Sequence, residues 1–265
     1  MIKKQKFTSQ NAKYKMIRKI LLIIGLLLVF LPILREAPIG IEIYESGINL
    51  SLAKDFSILF GTIILFVAYK ITKSNYFALL MIIASTTLSY LISSFSLDII
   101  AILLLGLYYY YRRKPYGIIF LVSVLPIRWP YFVLASFLAL PSMKKKELKK
   151  YFLGSIIFSP LLYFNVYNLT IEKTIYFADL GVVSGVGLFA FVLIIFGIFK
   201  TWKIHKQENI MFLLILLFST FVREARIFVG LAGLYYAGEF LKWLYERKWS
   251  LELLKKTTFI LVICG

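Results

Sequence analysis

Acidic side chains that could act as a general base are concentrated in one short stretch of the chain, from Arg35 to Asp55. This stretch contains Glu36, Glu42, Glu45 and Asp55, four of only 13 acidic residues in a chain whose net charge is +18. Such a carboxylate can remove a proton, bind a metal ion together with its neighbours, or keep a loop hydrated. The residue types alone leave these three roles open.

The spacing of Glu42 and Glu45 leaves the local structure of this stretch ambiguous. Residues three apart share a face of a helix but lie on opposite faces of a strand. Ile39, Ile41 and Ile43 alternate with other residues, which is the pattern of a strand. A fully hydrated loop would not need three isoleucines, so we expect the stretch to lie against the membrane or the helix bundle.

A second group with chemical potential is the tetrapeptide Arg223-Glu224-Ala225-Arg226, which lies between two short apolar runs. A guanidinium presents a planar fork of N–H donors that matches a phosphate group. The two arginines can therefore bind a phosphorylated ligand, or they can form ion pairs with the glutamates of the first stretch. Arg35 is a third basic residue that could take either role.

The elements that must position these residues are long apolar runs. The chain is 60% hydrophobic and 17% aromatic, with a mean hydropathy of +0.83, which is more than a water-soluble core normally hides. This composition predicts an all-α protein, a polytopic transmembrane helix bundle of about eight to ten short spans. We expect a single transmembrane domain over residues 1–265, an integral protein of the cell membrane with membrane lipids as its surroundings.

The basic residues predict the orientation of this bundle. Of the 31 Lys and Arg residues, 25 fall in alternate connecting segments, which are typical of the cytoplasmic side. The N-terminus is then cytoplasmic, the acidic loops lie outside, and residues 35–55 form the first outer loop. The last apolar run starts at Thr257 and has nine residues, too few for a span, so we expect a fragment of a longer chain.

In this orientation, the chain must enter and leave the apolar run from Gly117 to Leu140 on the same side of the membrane. Otherwise the five lysines between Lys144 and Lys150 would fall on the outer side. Its middle, Pro126-Ile127-Arg128-Trp129-Pro130, contains two prolines, which interrupt helical hydrogen bonding. These residues predict a re-entrant or broken segment that carries Arg128 away from the cytoplasmic side, with one kinked helix as the alternative.

Several classes of protein lose support from the sequence. The single cysteine, Cys264, excludes an intramolecular disulfide and a cysteine-based metal site. The H-E-x-x-H, G-x-S-x-G and Walker patterns are absent, which argues against a metalloprotease, a serine hydrolase or a pump. The basic residues are spread between apolar runs, so nucleic acid is not an expected partner. No required cofactor is evident, and a divalent metal ion is unsupported.

The order of these parts resembles the GT-C superfamily, whose members are polytopic glycosyltransferases that use a sugar linked to a polyprenyl-phosphate or polyprenyl-diphosphate carrier. The resemblance rests on an acidic loop after the first apolar run, on short helices before an Arg/Lys-Pro step, and on an arginine at a helix start. These parts read REAPIGIEIYES, SFSLDIIAILLLGLYYYYRRKPYGIIFLVSVLPIRWPYFVLASFLAL, SPLLYFNVYNL and VREARIFVGLAGLYYAGEF. Family members usually carry an aspartate in the first loop and are longer, so the chain resembles a truncated or divergent member.

The resemblance implies that the protein moves a sugar from a polyprenyl-phosphate carrier to an acceptor on the outer face. Glu42, or else Glu45 or Glu36, would deprotonate the acceptor hydroxyl as it attacks the anomeric carbon. Arginine side chains would neutralise the departing phosphate. The candidate phosphate-binding residues are Arg223, Arg226, Arg128 and Arg35. Two alternatives from other classes stay open: a component of a transporter or flippase for a lipid or small anion, and a non-catalytic membrane subunit.

Overall fold

The structure of the protein, a computed structural model, describes residues 2–34, 50–72, 75–85, 87–88, 91, 96–114, 116–164 and 188–247. Ten α-helices account for most of these residues, so the all-α part of the sequence prediction agrees with the structure. They are α1 (Ile2–Leu34), α2 (Leu50–Ile71), α3 (Tyr76–Ile83), α4 (Leu97–Tyr111), α5 (Gly117–Ser123), α6 (Trp129–Ala139), α7 (Lys145–Phe158), α8 (Leu188–Thr201), α9 (Lys206–Phe218) and α10 (Arg223–Glu246).

The prediction of a polytopic transmembrane bundle is wrong. Over the described residues, no helix combines the length and the apolar character that a membrane crossing requires. Helices α4, α8 and α9 have 15, 14 and 13 residues, whereas an upright crossing needs about 20. The longer α10 starts with Arg223, Glu224 and Arg226 and carries Glu239 and Lys242 farther along.

The predicted localisation is contradicted by the same finding. An integral protein of the cell membrane, with a cytoplasmic N-terminus and acidic loops outside, would need helices that cross the membrane, and the part of the chain that the structure describes has none. The apolar run from Gly117 to Leu140 is divided between two short helices, the 7-residue α5 and the 11-residue α6.

Helices α4, α5 and α6 form the frame that fixes the two ends of the bundle. Helix α4 ends next to Arg112, whose guanidinium donates to Ser142 Oγ just beyond α6. The same guanidinium forms an ion pair of 2.8 Å with Glu208 near the start of α9. At the opposite end, Arg128 before α6 contacts Asp98 in the first turn of α4. We call these the Arg112 end and the Arg128 end.

The remaining helices also run between the Arg112 end and the Arg128 end. Helix α8 packs closely along α10, where Gly197 lies against the backbone of Tyr236, and both helices run toward the Arg112 end. Helix α3 packs on α10 from another side in the opposite direction. The Asn75 side chain before α3 caps that helix and also donates to Glu239 Oε1 at 3.1 Å. The long α10 is therefore the central helix of the packing.

Helices α1 and α2 run antiparallel on the other side of the bundle. Arg18 of α1 lies over the ring of Tyr69, near the C-terminal end of α2, at 4.2 Å from the ring centroid. Gly25, farther along α1, lies against Leu65. Because α2 ends near Asn75 at the Arg112 end, the last residues of α1 and the first of α2 extend toward the Arg128 end.

The two ends of the bundle differ strongly in charge. Among the described residues, many exposed basic side chains lie at the Arg112 end. The exposed Lys and Arg residues there include Lys70, Arg113, Lys114, Lys144, Lys145, Lys146, Lys149, Lys150, Lys200, Lys203, Lys206 and Arg247. Repulsion among these groups favours an anionic partner at this end.

The crossing of α3 and α10 predicts the effect of replacing Gly238 with alanine. A Cβ atom at this position would lie 2.5 Å from the backbone nitrogen of Ala78, so the two helices would have to separate. We expect Gly238→Ala to lower the free energy of unfolding by about 1–3 kcal/mol, measured by chemical denaturation.

Gly25→Ala is the matched control for this substitution. The atoms nearest to its Cβ would be side-chain atoms of Leu65 and Ile83, at 3.1 and 3.2 Å, rather than backbone atoms of another helix. Alanine also favours the helix by about 1 kcal/mol over glycine, so this variant should keep or gain stability. Equal destabilisation of the two variants would contradict the close crossing at Gly238.

Candidate functional site

Asp98 and Arg128 form a buried ion pair at the Arg128 end. The Arg128 Nε donates to Asp98 Oδ1 at 3.1 Å, and the Ser96 hydroxyl donates to Asp98 Oδ2 at 3.3 Å. Arg128 is 3% exposed and Asp98 is 6% exposed. A buried charge needs a partner and further hydrogen bonds, because desolvation of an ion is costly. The pair therefore fixes the start of α4 against the start of α6.

The local sequence explains how Arg128 reaches this position. Helix α5 ends at Ser123, and a turn follows in which the backbone N–H of Arg128 donates to Val124 O at 2.9 Å. Arg128 itself has φ −152° and ψ 87°, outside the helical range, and Pro130 stands in the first turn of α6. Proline fits a first turn, where its missing N–H would have no helical partner. The break that the two prolines predict is present, and its charged residue points into the protein.

Arg226 is also buried, and it contacts the end of a neighbouring helix. Its Nε donates to Ser219 O at 3.0 Å, and Nη2 donates to Thr220 O at 3.4 Å. Ser219 is the residue at which α9 ends. The last carbonyls of a helix carry partial negative charge, so a guanidinium stabilises them. Arg226 thus holds the turn between α9 and α10.

Glu224 is the second buried acid at this end. It lies in the first turn of α10 and is 1% exposed. The N-terminus of a helix carries partial positive charge, which favours a carboxylate there. Asp98, Arg128, Glu224 and Arg226 are thus four buried ionisable residues with two charges of each sign. The predicted ion pairs between the arginines and the glutamates of the first stretch involve residues outside the described ranges, so they stay a prediction.

The predicted site residues differ in burial and contacts, and four of them lie outside the described residues. Arg128 and Arg226 are buried and engaged as described, whereas Arg223, the first residue of α10, is partly exposed and also has contacts. The candidate bases Glu36, Glu42 and Glu45 and the candidate phosphate ligand Arg35 lie outside the described residues. The flanks of that segment, the end of α1 and the start of α2, extend toward the Arg128 end.

A second polar cluster lies at the Arg112 end, and the sequence analysis missed it. Arg112 and Glu208 form the 2.8 Å ion pair, and His205 Nδ1 lies 3.4 Å from the other oxygen of Glu208. Tyr108 is buried beside them. The available signal was the run Tyr108 to Tyr111 before two arginines, which composition alone assigns to an aromatic belt. The partner, Glu208, is too distant in sequence for a local pattern to reveal it.

Burial changes the acid–base behaviour of this cluster. Desolvation raises the pKa of Tyr108 to about 12, with Arg112 opposing the shift and Glu147 and Glu208 adding to it. Burial likewise raises the pKa of Tyr236, which faces Glu208. For Arg112, desolvation lowers the pKa, but the hydrogen bond and charge of Glu208 outweigh it and raise the pKa overall. The phenols are therefore neutral near pH 7 and suited to packing and hydrogen bonding rather than to acting as bases.

Neither a metal-binding group among the described residues nor a similarity to known proteins assigns a function to this chain. Within the described ranges, no group of three or more His, Cys, Asp and Glu side chains is arranged to hold a metal ion. Comparison of the chain with protein families, with curated proteins and with solved structures finds no match in any of the three.

Removal of the Asp98 carboxylate tests the buried ion pair. Asp98→Ala leaves the guanidinium of Arg128 in a buried position without this carboxylate, so the free energy of unfolding should fall by about 3–5 kcal/mol. Chemical denaturation followed by circular dichroism measures the change. Glu208→Ala, at the partly exposed ion pair with Arg112, is the matched control and should cost about 1 kcal/mol or less. A similar loss in both variants would refute the assignment.

The raised pKa of Tyr108 predicts a loss of stability at high pH. The folded pKa of about 12 lies above the ordinary value of 10.0, so the unfolded chain releases this proton first. The contribution of Tyr108 is fully present below pH 10 and is lost as pH rises toward about 12. Unfolding measured across this range should show a weaker pH dependence for Tyr108→Phe than for the unaltered protein. An unchanged slope in that variant would show that Tyr108 titrates normally.

Proposed function

We propose that the protein transfers a sugar from a polyprenyl-phosphate carrier to an acceptor hydroxyl. The sequence resemblance to the GT-C superfamily motivates the reaction class. The observation that supports it is topological: α1 and α2, which flank the acidic segment, both extend toward the end of the bundle that holds Arg128, Arg223 and Arg226. The described residues that flank the acidic segment thus extend toward the same end of the bundle as these arginines.

The proposed reaction is a displacement at the anomeric carbon. The acceptor oxygen forms a bond to that carbon, the bond from the carbon to the carrier phosphate oxygen breaks, and the electron pair leaves with the phosphate. Glu42 accepts the acceptor proton as general base, with Glu45 and then Glu36 as the other candidates. A guanidinium near the departing phosphate stabilises its negative charge.

Among the arginines, Arg223 is the best candidate to contact that phosphate. It is partly exposed at the start of α10, whereas Arg128 and Arg226 are buried and hold neighbouring elements. The positive end of α10 adds to the attraction for an anion. Arg128 and Arg226 then support this end of the bundle, Arg226 by contacting the turn from which α10 starts.

The test is to incubate the purified chain with a panel of labelled polyprenyl-phosphate sugars and to measure release of the label. A general base contributes about 10²–10⁴ in rate, so Glu42→Gln should lower transfer at least about 100-fold while the circular dichroism spectrum stays unchanged. Asp55→Asn, which changes an exposed acid at the start of α2, is the matched control and should retain activity.

Two results would contradict this assignment. Full activity in Glu42→Gln would move the base to another residue, for which Glu45→Gln and Glu36→Gln are the next variants. Absence of label release from every donor would reject the transferase. It would favour a non-catalytic subunit, a function with which the structural engagement of Arg128 and Arg226 is consistent.

A further inference from the structure

Helix α7 has an outward face that starts with four lysines. Lys145, Lys146, Lys149 and Lys150 are all exposed. Their spacing of three and four residues places them on one side of the helix. The single acid of α7, Glu147, points elsewhere, and its Oε2 accepts a hydrogen bond from the backbone N–H of Lys144 at 2.8 Å. The four lysines of this face are therefore exposed, whereas the acid of the helix is engaged with the backbone at its start.

The same face of α7 continues into large apolar side chains. Phe152, Leu153, Ile156 and Ile157 follow the lysines at helical spacing, and their exposure ranges from 54% for Phe152 to 68% for Ile156. Exposure of four adjacent large apolar side chains is unfavourable in water, and such patches commonly mark sites of interaction.

The opposite face of α7 is firmly anchored to the protein. The Tyr151 hydroxyl donates to Ser136 Oγ of α6 at 2.9 Å, and its ring stacks on Phe132 with 5.6 Å between the centroids. Gly154 allows α7 to approach Val122 of α5, since a Cβ there would lie 3.1 Å from that side chain. These contacts fix which side of the helix faces outward.

We propose that the outward face of α7 docks on the surface of an anionic lipid bilayer. The lysines would lie near the phosphates of the headgroups, and the apolar side chains would enter the boundary between headgroups and acyl chains. A second copy of the chain fits less well, because four lysines on each copy would repel one another. Nucleic acid would satisfy the lysines but would leave the isoleucines and Leu153 without an apolar partner.

This assignment is independent of glycosyl transfer, and binding alone tests it. The purified full chain is sedimented with vesicles of phosphatidylcholine, with or without phosphatidylglycerol, at low and high salt. We expect binding to the anionic vesicles that weakens with salt, since screening reduces the attraction between exposed charges. Binding that is equal on neutral vesicles and insensitive to salt would overturn the proposal.

Two double variants test the two halves of the face. Lys145→Glu with Lys149→Glu should weaken binding to anionic vesicles at least about tenfold, and Ile156→Ser with Ile157→Ser should weaken it about tenfold by removing apolar contact. Leu217→Ser with Phe218→Ser is the matched control, because these exposed apolar residues belong to α9 and not to the outward face of α7. The control should bind normally, and all three should keep the circular dichroism spectrum of the unaltered chain.

Other outcomes identify other occupants and would overturn the lipid surface. If the α7 variants and the control bind vesicles alike, α7 is not the docking face. If the unaltered chain ignores vesicles but dimerises in light scattering, and Ile156→Ser with Ile157→Ser abolishes the dimer, a second copy covers this face. If it ignores vesicles but retains a labelled oligonucleotide in a salt-dependent manner, the lysines serve nucleic acid.

Discussion

A guanidinium cannot lie in a protein interior without an acidic or strongly polar partner, and this requirement organises the bundle. Arg128 stands between two prolines that end one helix and start the next, so the chain delivers its charge to the interior at a fixed place. Asp98, 30 positions earlier in the chain, receives it at the start of α4. This ion pair fixes the Arg128 end of α4, α5 and α6. At the other end, Arg112 contacts Ser142 and Glu208.

The packing around α10 follows a different principle. Gly197 and Gly238 mark points where the backbone of one helix meets that of another, so α8, α3 and α10 approach more closely than side chains would allow. Close approach increases dispersion contacts along the helices. Many large apolar side chains nevertheless remain exposed on the surface. Those of α7 lie next to lysines of the same helix. This combination is the basis of the proposed docking of α7 on lipid.

Charge distinguishes the two ends of the molecule. The Arg112 end combines a buried tyrosine cluster with many exposed lysines, whereas the Arg128 end buries two acids and two arginines in balance. The proposed transferase chemistry belongs to the Arg128 end, and the proposed docking on lipid belongs to α7, whose lysines start near the Arg112 end. The two proposals depend on different residues, so each can fail without the other.

Local patterns in the sequence determined the helical content and the interruption between Pro126 and Pro130. These follow from apolar continuity and proline chemistry, which are local properties. The same apolar continuity predicted membrane spans, and this was wrong because hydropathy does not show where a helix ends. Glu36, Glu42, Glu45 and Arg35 lie outside the described residues, so their roles stay predictions.

Only the tertiary structure decided the partners of the charges. Arg128 pairs with Asp98, Arg226 contacts Ser219, and Arg112 pairs with Glu208 across 96 positions of sequence. A sequence shows that a buried arginine needs a partner but not which acid or carbonyl the fold brings within hydrogen-bonding distance. Those contacts depend on helix directions and crossings, which arise from packing of the whole chain.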